Sequence, residues 1–161
     1  FFSFYIYMKE SLYKRHFIMF VVMVIVGMLF NPMNILAYRF RDLYISLTLF
    51  YGGLLMASNM IWAHEIVHYL SMGHFNLFVF TVGIILSVCV TILLRKQLFV
   101  DDKQWLKRMI SHHSTALTTT EKLLRNENNF KNNPPLFRLA KEIALGQKRE
   151  ILLMENLLYF H

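Results

Sequence analysis

The sequence predicts an all-α membrane protein, in which three transmembrane helices precede an antiparallel hairpin of two helices. Of the 161 residues, 56% are hydrophobic, and the mean hydropathy is +0.40, which is too apolar for one small soluble domain. The first part of the chain contains three apolar runs, each near the length of about 20 residues that a bilayer core requires. From residue 101 onward the sequence is more polar, and its apolar residues recur at helical spacing.

An N-terminal tail over residues 1–16 is expected to precede a membrane region over residues 17–94. The three apolar runs of this region predict transmembrane helices at about 17–37, 43–63 and 77–94. None of them has Lys, Arg, Asp or Glu at its centre, where a charge is costly in lipid. The lipid bilayer is therefore the first expected partner.

Three small features refine the membrane region. Pro32 lies late in the first run and is expected to kink or end that helix. Gly52 and Gly53 in the second run allow a neighbouring helix to approach closely. Cys89 is the single cysteine, so there is no disulfide framework.

The formal charge of +7 comes from basic residues that flank the apolar runs and from the C-terminal part of the chain. The flanking charges are nearly balanced between the two sides, so the positive-inside rule leaves the orientation open. No basic stripe or nucleic-acid-binding motif is present, and we expect no nucleic-acid partner.

The C-terminal hairpin is predicted over residues 101–161. Asp101 begins its first helix, and Gln104 three residues later completes the pattern of a capping box. An Asn-rich stretch over residues 126–133 separates the helices, and Pro134 opens the second one, where a missing N–H does no harm. The first helix has apolar positions at the i, i+3, i+4, i+7 spacing that predicts one buried face.

Candidate metal ligands occupy one stripe on each hairpin helix. Met109, His112 and His113 share a stripe of the first helix, and Glu150 and Met154 share a stripe of the second. Thioether, imidazole and carboxylate groups together favour a soft or borderline ion, with copper favoured and zinc possible. The alternative is a packing feature, in which the His is a hydrogen-bonded core residue and the Met side chains fill the core.

The same residues carry a resemblance to a known family. Met109-Ile110-Ser111-His112-His113-Ser114-Thr115-Ala116 resembles the M-I-x-H-H-x-x-A signature of the domain of unknown function 305 family, which usually has Pro where Ser111 stands. The second helix resembles the same family's pattern from Leu139 to Met154. The resemblance implies a ferritin-like, copper- or metal-binding hairpin that follows three membrane helices and lies on the extracytoplasmic side.

A second motif lies between the second and third apolar runs. His64-Glu65-Ile66-Val67-His68 is an H-E-x-x-H sequence, which on a helix places two imidazoles one turn apart beside a possible base. A metalloprotease of the membrane would need a further acidic ligand, and the first and third runs contain none. The weaker alternative is a soft-metal site formed by Met60, His64 and His68.

The leading hypothesis is therefore a membrane-anchored, non-enzymatic metal-binding protein that stores, sequesters or delivers a copper-like ion. The first alternative is a structural or assembly protein of a membrane, and the second is a metalloprotease that uses His64, Glu65 and His68. Because two helices alone bury little apolar surface, we expect a homo-oligomer, in which two hairpins pair into a four-helix bundle. Apart from the H-E-x-x-H sequence, the chain shows no catalytic motif and no cofactor motif.

Overall fold

A computed structural model describes residues 2–126, 130 and 133–160, with side chains described from Tyr13 onward. In this part of the chain every regular element is a helix and no strand occurs, which confirms the all-α class. Residues 1–29 and 49–98 form one compact unit, and residues 30–48 and 99–161 form the other. These are called the apolar unit and the hairpin unit below.

The described residues form six α-helices. They are α1 Phe2–Leu29, α2 Pro32–Ile35, α3 Leu47–Met72, α4 Leu77–Lys96, α5 Asp102–Leu124 and α6 Pro134–Phe160, with a 3-10 turn at Phe40–Asp42. Helix α1 already begins at Phe2, so the expected N-terminal tail is helical. The expected break at Pro32 occurs, because α1 ends before it and Asn31 caps a new helix by accepting a hydrogen bond from the Asn34 N–H at 3.1 Å.

Two segments of the described residues are long and apolar enough to cross a membrane, Tyr13–Ile35 and Leu77–Lys96. The prediction of three spans is therefore wrong by this criterion, because the run over 43–63 is not among them. Helix α3 contains Gly, Ser, Asn, His and Glu residues, and these lower its mean hydropathy. The extracytoplasmic side of the hairpin, which the family resemblance implies, stays a prediction.

Within the apolar unit, glycines let the helices approach closely. A methyl group on Gly53 of α3 would lie 2.8 Å from the carbonyl oxygen of Val24 and 2.9 Å from Met28 Cγ, both on α1. A methyl group on Gly83 of α4 would lie 2.9 Å from the backbone nitrogen of Trp62 on α3. Gly52, by contrast, has no neighbour within 4 Å of the same position, so only one of the two adjacent glycines is a packing residue.

The hairpin unit contains α5 and α6 packed antiparallel around an apolar core. The core residues are Leu106, Ile110, Leu117, Ala144, Ile151 and Met154. Lys148 Nζ pairs with Glu121 Oε1 at 2.6 Å across the two helices. Some large apolar side chains of the two helices are exposed, notably Trp105 at 50% and Leu139 at 52%. The buried residues of α6 are Ala140, Ala144, Ile151, Met154 and Glu155.

The segment over residues 30–48 packs onto this hairpin through polar contacts. Asp42 is fully buried, and its Oδ2 accepts a hydrogen bond from Ser114 Oγ at 2.7 Å. Ser111 Oγ donates to the Asp42 carbonyl oxygen at 2.8 Å, and Tyr38 N–H donates to Ser114 Oγ at 2.7 Å. Two serines next to the His pair therefore bind this segment to α5.

Only one of the two hydrogen bonds of the expected capping box forms at the start of α5. Asp101 Oδ1 accepts from the Gln104 N–H at 2.7 Å, as a capping residue should. Gln104 does not return the bond, because its Oε1 accepts from the Leu47 N–H at 2.7 Å. The Gln104 side chain, which a complete capping box would use within α5, is therefore used for the tertiary contact with Leu47.

The glycine pair offers a matched test of packing in the apolar unit. We expect Gly53→Ala to lower the free energy of unfolding in detergent by about 1–3 kcal/mol, because a crowded methyl group forces backbone to shift. Gly52→Ala has open space and should be neutral or slightly stabilising, since Ala favours a helix over Gly. Equal thermal stability of the two variants would contradict this account of the helix contact.

The hydrogen bond between Ser114 and Asp42 predicts that two substitutions on α5 differ in their effect on stability. Ser114→Ala leaves both Asp42 Oδ2 and the Tyr38 N–H without this partner and should destabilise the protein by about 1–3 kcal/mol. Thr119→Ala on the same helix is the control, because Thr119 is exposed and its hydroxyl bonds only to carbonyl oxygens of α5 itself. Denaturant unfolding of both variants in detergent would measure the difference, and a Ser114→Ala variant as stable as the control would contradict it.

Candidate metal centre

Two helices of the apolar unit bring His16, His64 and Glu65 together. One nitrogen of each imidazole and one carboxylate oxygen lie within 4.8 Å of one another. His16 Nε2 lies 3.1 Å from Glu65 Oε1, and His64 Nδ1 lies 4.0 Å from the same oxygen. The two imidazole rings meet edge to face with their centroids 5.5 Å apart. These are the nitrogen and oxygen donors that borderline metal ions accept.

The carboxylate of Glu65 is buried, with 3% of the residue exposed. Its Oε1 contacts His16 on α1, and its Oε2 accepts a hydrogen bond from the backbone N–H of Asn76 at 3.0 Å. Asn76 also caps α4, because its side chain accepts from the Val79 N–H at 3.2 Å. A buried carboxylate needs such partners to offset its desolvation, and these partners fix its position between α1, α3 and the start of α4.

A cavity of about 460 Å³ lies beside these residues. Its lining combines the three clustered side chains with others from the last part of α3, the α3–α4 turn and the start of α4: His68, His74, Phe75, Asn76, Leu77 and Phe78. The cavity is therefore partly aromatic and partly imidazole-lined. A small ion with its remaining ligands or water molecules has room there.

The hairpin ligands form a smaller arrangement. His113 Nδ1 lies 3.0 Å from Glu150 Oε2, and the ring of the exposed His112 has its centroid 5.8 Å from that of His113. Met154 is buried in the hairpin core, and Met109 packs against that core. Among the described residues, no three His, Cys, Asp or Glu side chains of the hairpin come as close together as those of the apolar unit.

Burial is the main influence on His113. It lowers the pKa of the imidazole below its ordinary value of 6.5, although the carboxylate of Glu150 acts in the opposite direction. Nδ1 is buried and lacks the alignment of a hydrogen bond despite its short distance to Glu150. A neutral imidazole is the form that binds metals.

The second sequence-predicted set is only partly assembled. His64 and His68 line the cavity, whereas Met60 does not and is 41% exposed. Sequence reasoning missed His16, which is separated from His64 by the first two apolar runs. The available signal was a titratable side chain directly at the start of the first run, where lipid-facing sequence normally begins.

The lowered pKa of His113 predicts a pH dependence of stability in the metal-free protein. Because the unfolded chain takes up this proton at a higher pH than the folded chain, the stability is fully present above pH 6.5 and is lost as the pH falls toward the folded pKa. Unfolding in detergent with a chelator should therefore show a steeper loss for the natural chain than for His113→Gln. Identical slopes below pH 6.5 would contradict the prediction.

The chain is similar to proteins that have no assigned activity. Residues 94–158 match the family model described as Domain of unknown function (DUF305). Over 132 residues the chain is 32% identical to the Uncharacterized protein L153 of Acanthamoeba polyphaga mimivirus, with 80% of this chain and 81% of the viral protein covered. No solved structure matches the chain, so the ferritin-like part of the prediction has no structural match to support it. The chain belongs to the family of this mimivirus protein, and its hairpin carries the match to DUF305.

Proposed function

We propose that this protein is a membrane-associated metal-binding protein that holds its ion with His16, His64 and Glu65. The observation that carries the proposal is the convergence of these three ligand groups within 4.8 Å. Exposed acidic groups often lie close together without an ion, but this group differs from them. Glu65 is buried, and two imidazoles from different helices meet it, which is a donor set suited to a metal.

Membrane association is supported by the two apolar segments and by the side chains that α4 exposes. Leu77, Phe78, Ile85 and Val88 are each more than half exposed, at 67%, 65%, 55% and 54%. Such a helix face is unfavourable in water and favourable against lipid tails. The bilayer is therefore the partner that we propose for the apolar unit.

The contacts of Glu65 favour binding over hydrolysis. A metalloprotease built on H-E-x-x-H would use this carboxylate to take a proton from a metal-bound water. In the proposed site Glu65 is itself a ligand through the oxygen that faces His16, and its other oxygen accepts the Asn76 N–H, so this carboxylate is not left to act as the base. We therefore place proteolysis behind a non-enzymatic role.

A second candidate site is the copper-binding one on the hairpin, with Met109, His112, His113, Glu150 and Met154 as its ligands. The observation that favours it is the 3.0 Å approach of His113 to Glu150 inside the region that matches DUF305. A second copy of the chain could add another His pair through a paired hairpin, and the ion would then bind between subunits. With this candidate we also propose that the hairpin lies on the extracytoplasmic side of the membrane.

A structural role is the remaining alternative. Its supporting observation is that Met154 lies in the hairpin core and Met109 packs against it, which leaves both thioethers with a packing function. In that case the His113–Glu150 pair would stabilise the hairpin and no ion would bind there.

Metal titration of the full chain in detergent distinguishes these candidates. After treatment with a chelator, the natural chain should bind Zn(II) or another borderline ion tightly. Glu65→Gln should weaken this binding by at least about 10-fold, which is the lower range for disturbing a metal site. The double variant His112→Ala and His113→Ala is the matched control and should bind as the natural chain does.

The opposite result would indicate that the ion binds to the hairpin. If the double variant abolishes binding of Cu(I) or Cu(II) and Glu65→Gln has no effect, the copper candidate is correct. If the natural chain retains no ion of either class, both metal candidates fail and the structural role stands.

A further inference from the structure

The side chain of His68 lies one helical turn after His64 on α3. The two rings are nearly parallel, with an angle of 20° and a centroid distance of 6.1 Å. Both line the same cavity as His16 and Glu65. Imidazoles at positions i and i+4 of a helix can bind one ion from the same side.

The turn after α3 orients the ring of His68. Gly73 adopts φ of +69°, a conformation that is costly for residues with a Cβ, and its N–H bonds back to the Tyr69 carbonyl at 2.9 Å. The chain then reverses, and the carbonyl oxygen of His74 lies 2.9 Å from His68 Nδ1. A carbonyl can only accept, so Nδ1 carries the proton and donates it.

This hydrogen bond leaves the other ring nitrogen, Nε2, as the one with a free electron pair. Metal-binding histidines characteristically donate their second ring N–H to a backbone carbonyl or a carboxylate, which fixes the tautomer and the ring orientation. His68 therefore has the outer contact of a metal ligand and borders the cavity that contains the other ligands.

Building on the proposed function, we infer that His68 is the fourth ligand of this centre, and that the completed site selects a borderline divalent ion such as Zn(II) or Co(II) over Cu(I). Three imidazoles and one carboxylate supply the four donors of a tetrahedral site. His68 lies outside the group of three that converges within 4.8 Å, so its ring turns toward the other ligands when the ion binds, while the His74 carbonyl keeps the proton on Nδ1.

The donor set decides the class of ion. Cu(I) prefers thiolate and thioether sulfur, and the described lining of the cavity contains neither Cys nor Met. Calcium and magnesium prefer sites made of oxygen atoms, whereas only one of the four proposed ligands, Glu65, supplies oxygen. Imidazole nitrogen with one carboxylate suits zinc and its spectroscopic substitute cobalt.

The test uses the full chain in detergent with His112→Ala and His113→Ala, so that the hairpin cannot contribute imidazoles. Titration with Co(II) should give the intense visible absorption of a four-coordinate ion. Adding His68→Ala should weaken Co(II) binding by at least about 10-fold and shift the visible spectrum. Adding Ser71→Ala is the matched control, because Ser71 is exposed on the same helix outside the cavity lining and its hydroxyl contacts carbonyl oxygens of α3, and it should alter neither property.

A failure of the proposed function and a failure of the fourth ligand give different results. If the background protein binds neither Co(II) nor Zn(II), the proposed function itself fails, and this inference fails with it. If the background protein binds Co(II) and His68→Ala leaves affinity and spectrum unchanged, only the fourth ligand is wrong.

A second measurement does not depend on the folding of the His68 variant. X-ray absorption of the Zn(II)-loaded background protein counts the imidazoles that surround the ion. Three imidazoles support the inference, whereas two would overturn it. Preferential binding of Cu(I) over Zn(II) by the same protein would overturn the assignment of the ion class.

Discussion

The buried carboxylate of Glu65 is the constraint on which the apolar unit depends. A carboxyl group at 3% exposure is unfavourable unless hydrogen-bond partners replace its water. Its partners come from His16 on α1 and from the backbone at the start of α4, so one side chain of α3 links three helices. The glycine contacts of α3 with α1 and α4 bring the helix backbones close enough for these bonds.

The hairpin unit contains a second buried carboxylate, that of Asp42, and it too is surrounded by polar partners. Asp42 is fully buried and is joined to Ser114 and to the guanidinium of Arg39. The adjacent Ser111 donates to the Asp42 backbone, and this is the position where the resembled family usually has Pro. Pro has no hydroxyl to donate, so the departure from the family pattern has a local structural function here. The region beside the His pair is consequently a docking surface for residues 30–48 as well as a candidate ligand site.

The two candidate sites differ in what packing leaves available for chemistry. In the hairpin, Met154 is part of the apolar core and Met109 packs against it, so thioether groups contribute to stability and His113 pairs with Glu150. In the apolar unit, the ligand groups border a cavity. Borderline nitrogen and oxygen chemistry is therefore better supported by the geometry than the soft copper chemistry that the composition of the hairpin suggested.

The sequence by itself determined the features that depend on neighbouring residues. Helix α5 begins after its Asp101 cap, α6 begins at Pro134, and α4 is long and apolar enough to span a bilayer, because capping, proline geometry and hydropathy act within a few positions. Helical offsets likewise placed His113 and Glu150 on facing stripes. Only the tertiary structure decided that His16 meets Glu65, that Asp42 is buried and that Gly53 rather than Gly52 is a packing residue. These features join residues distant in the chain, and their energies come from desolvation and close packing, which no local pattern records.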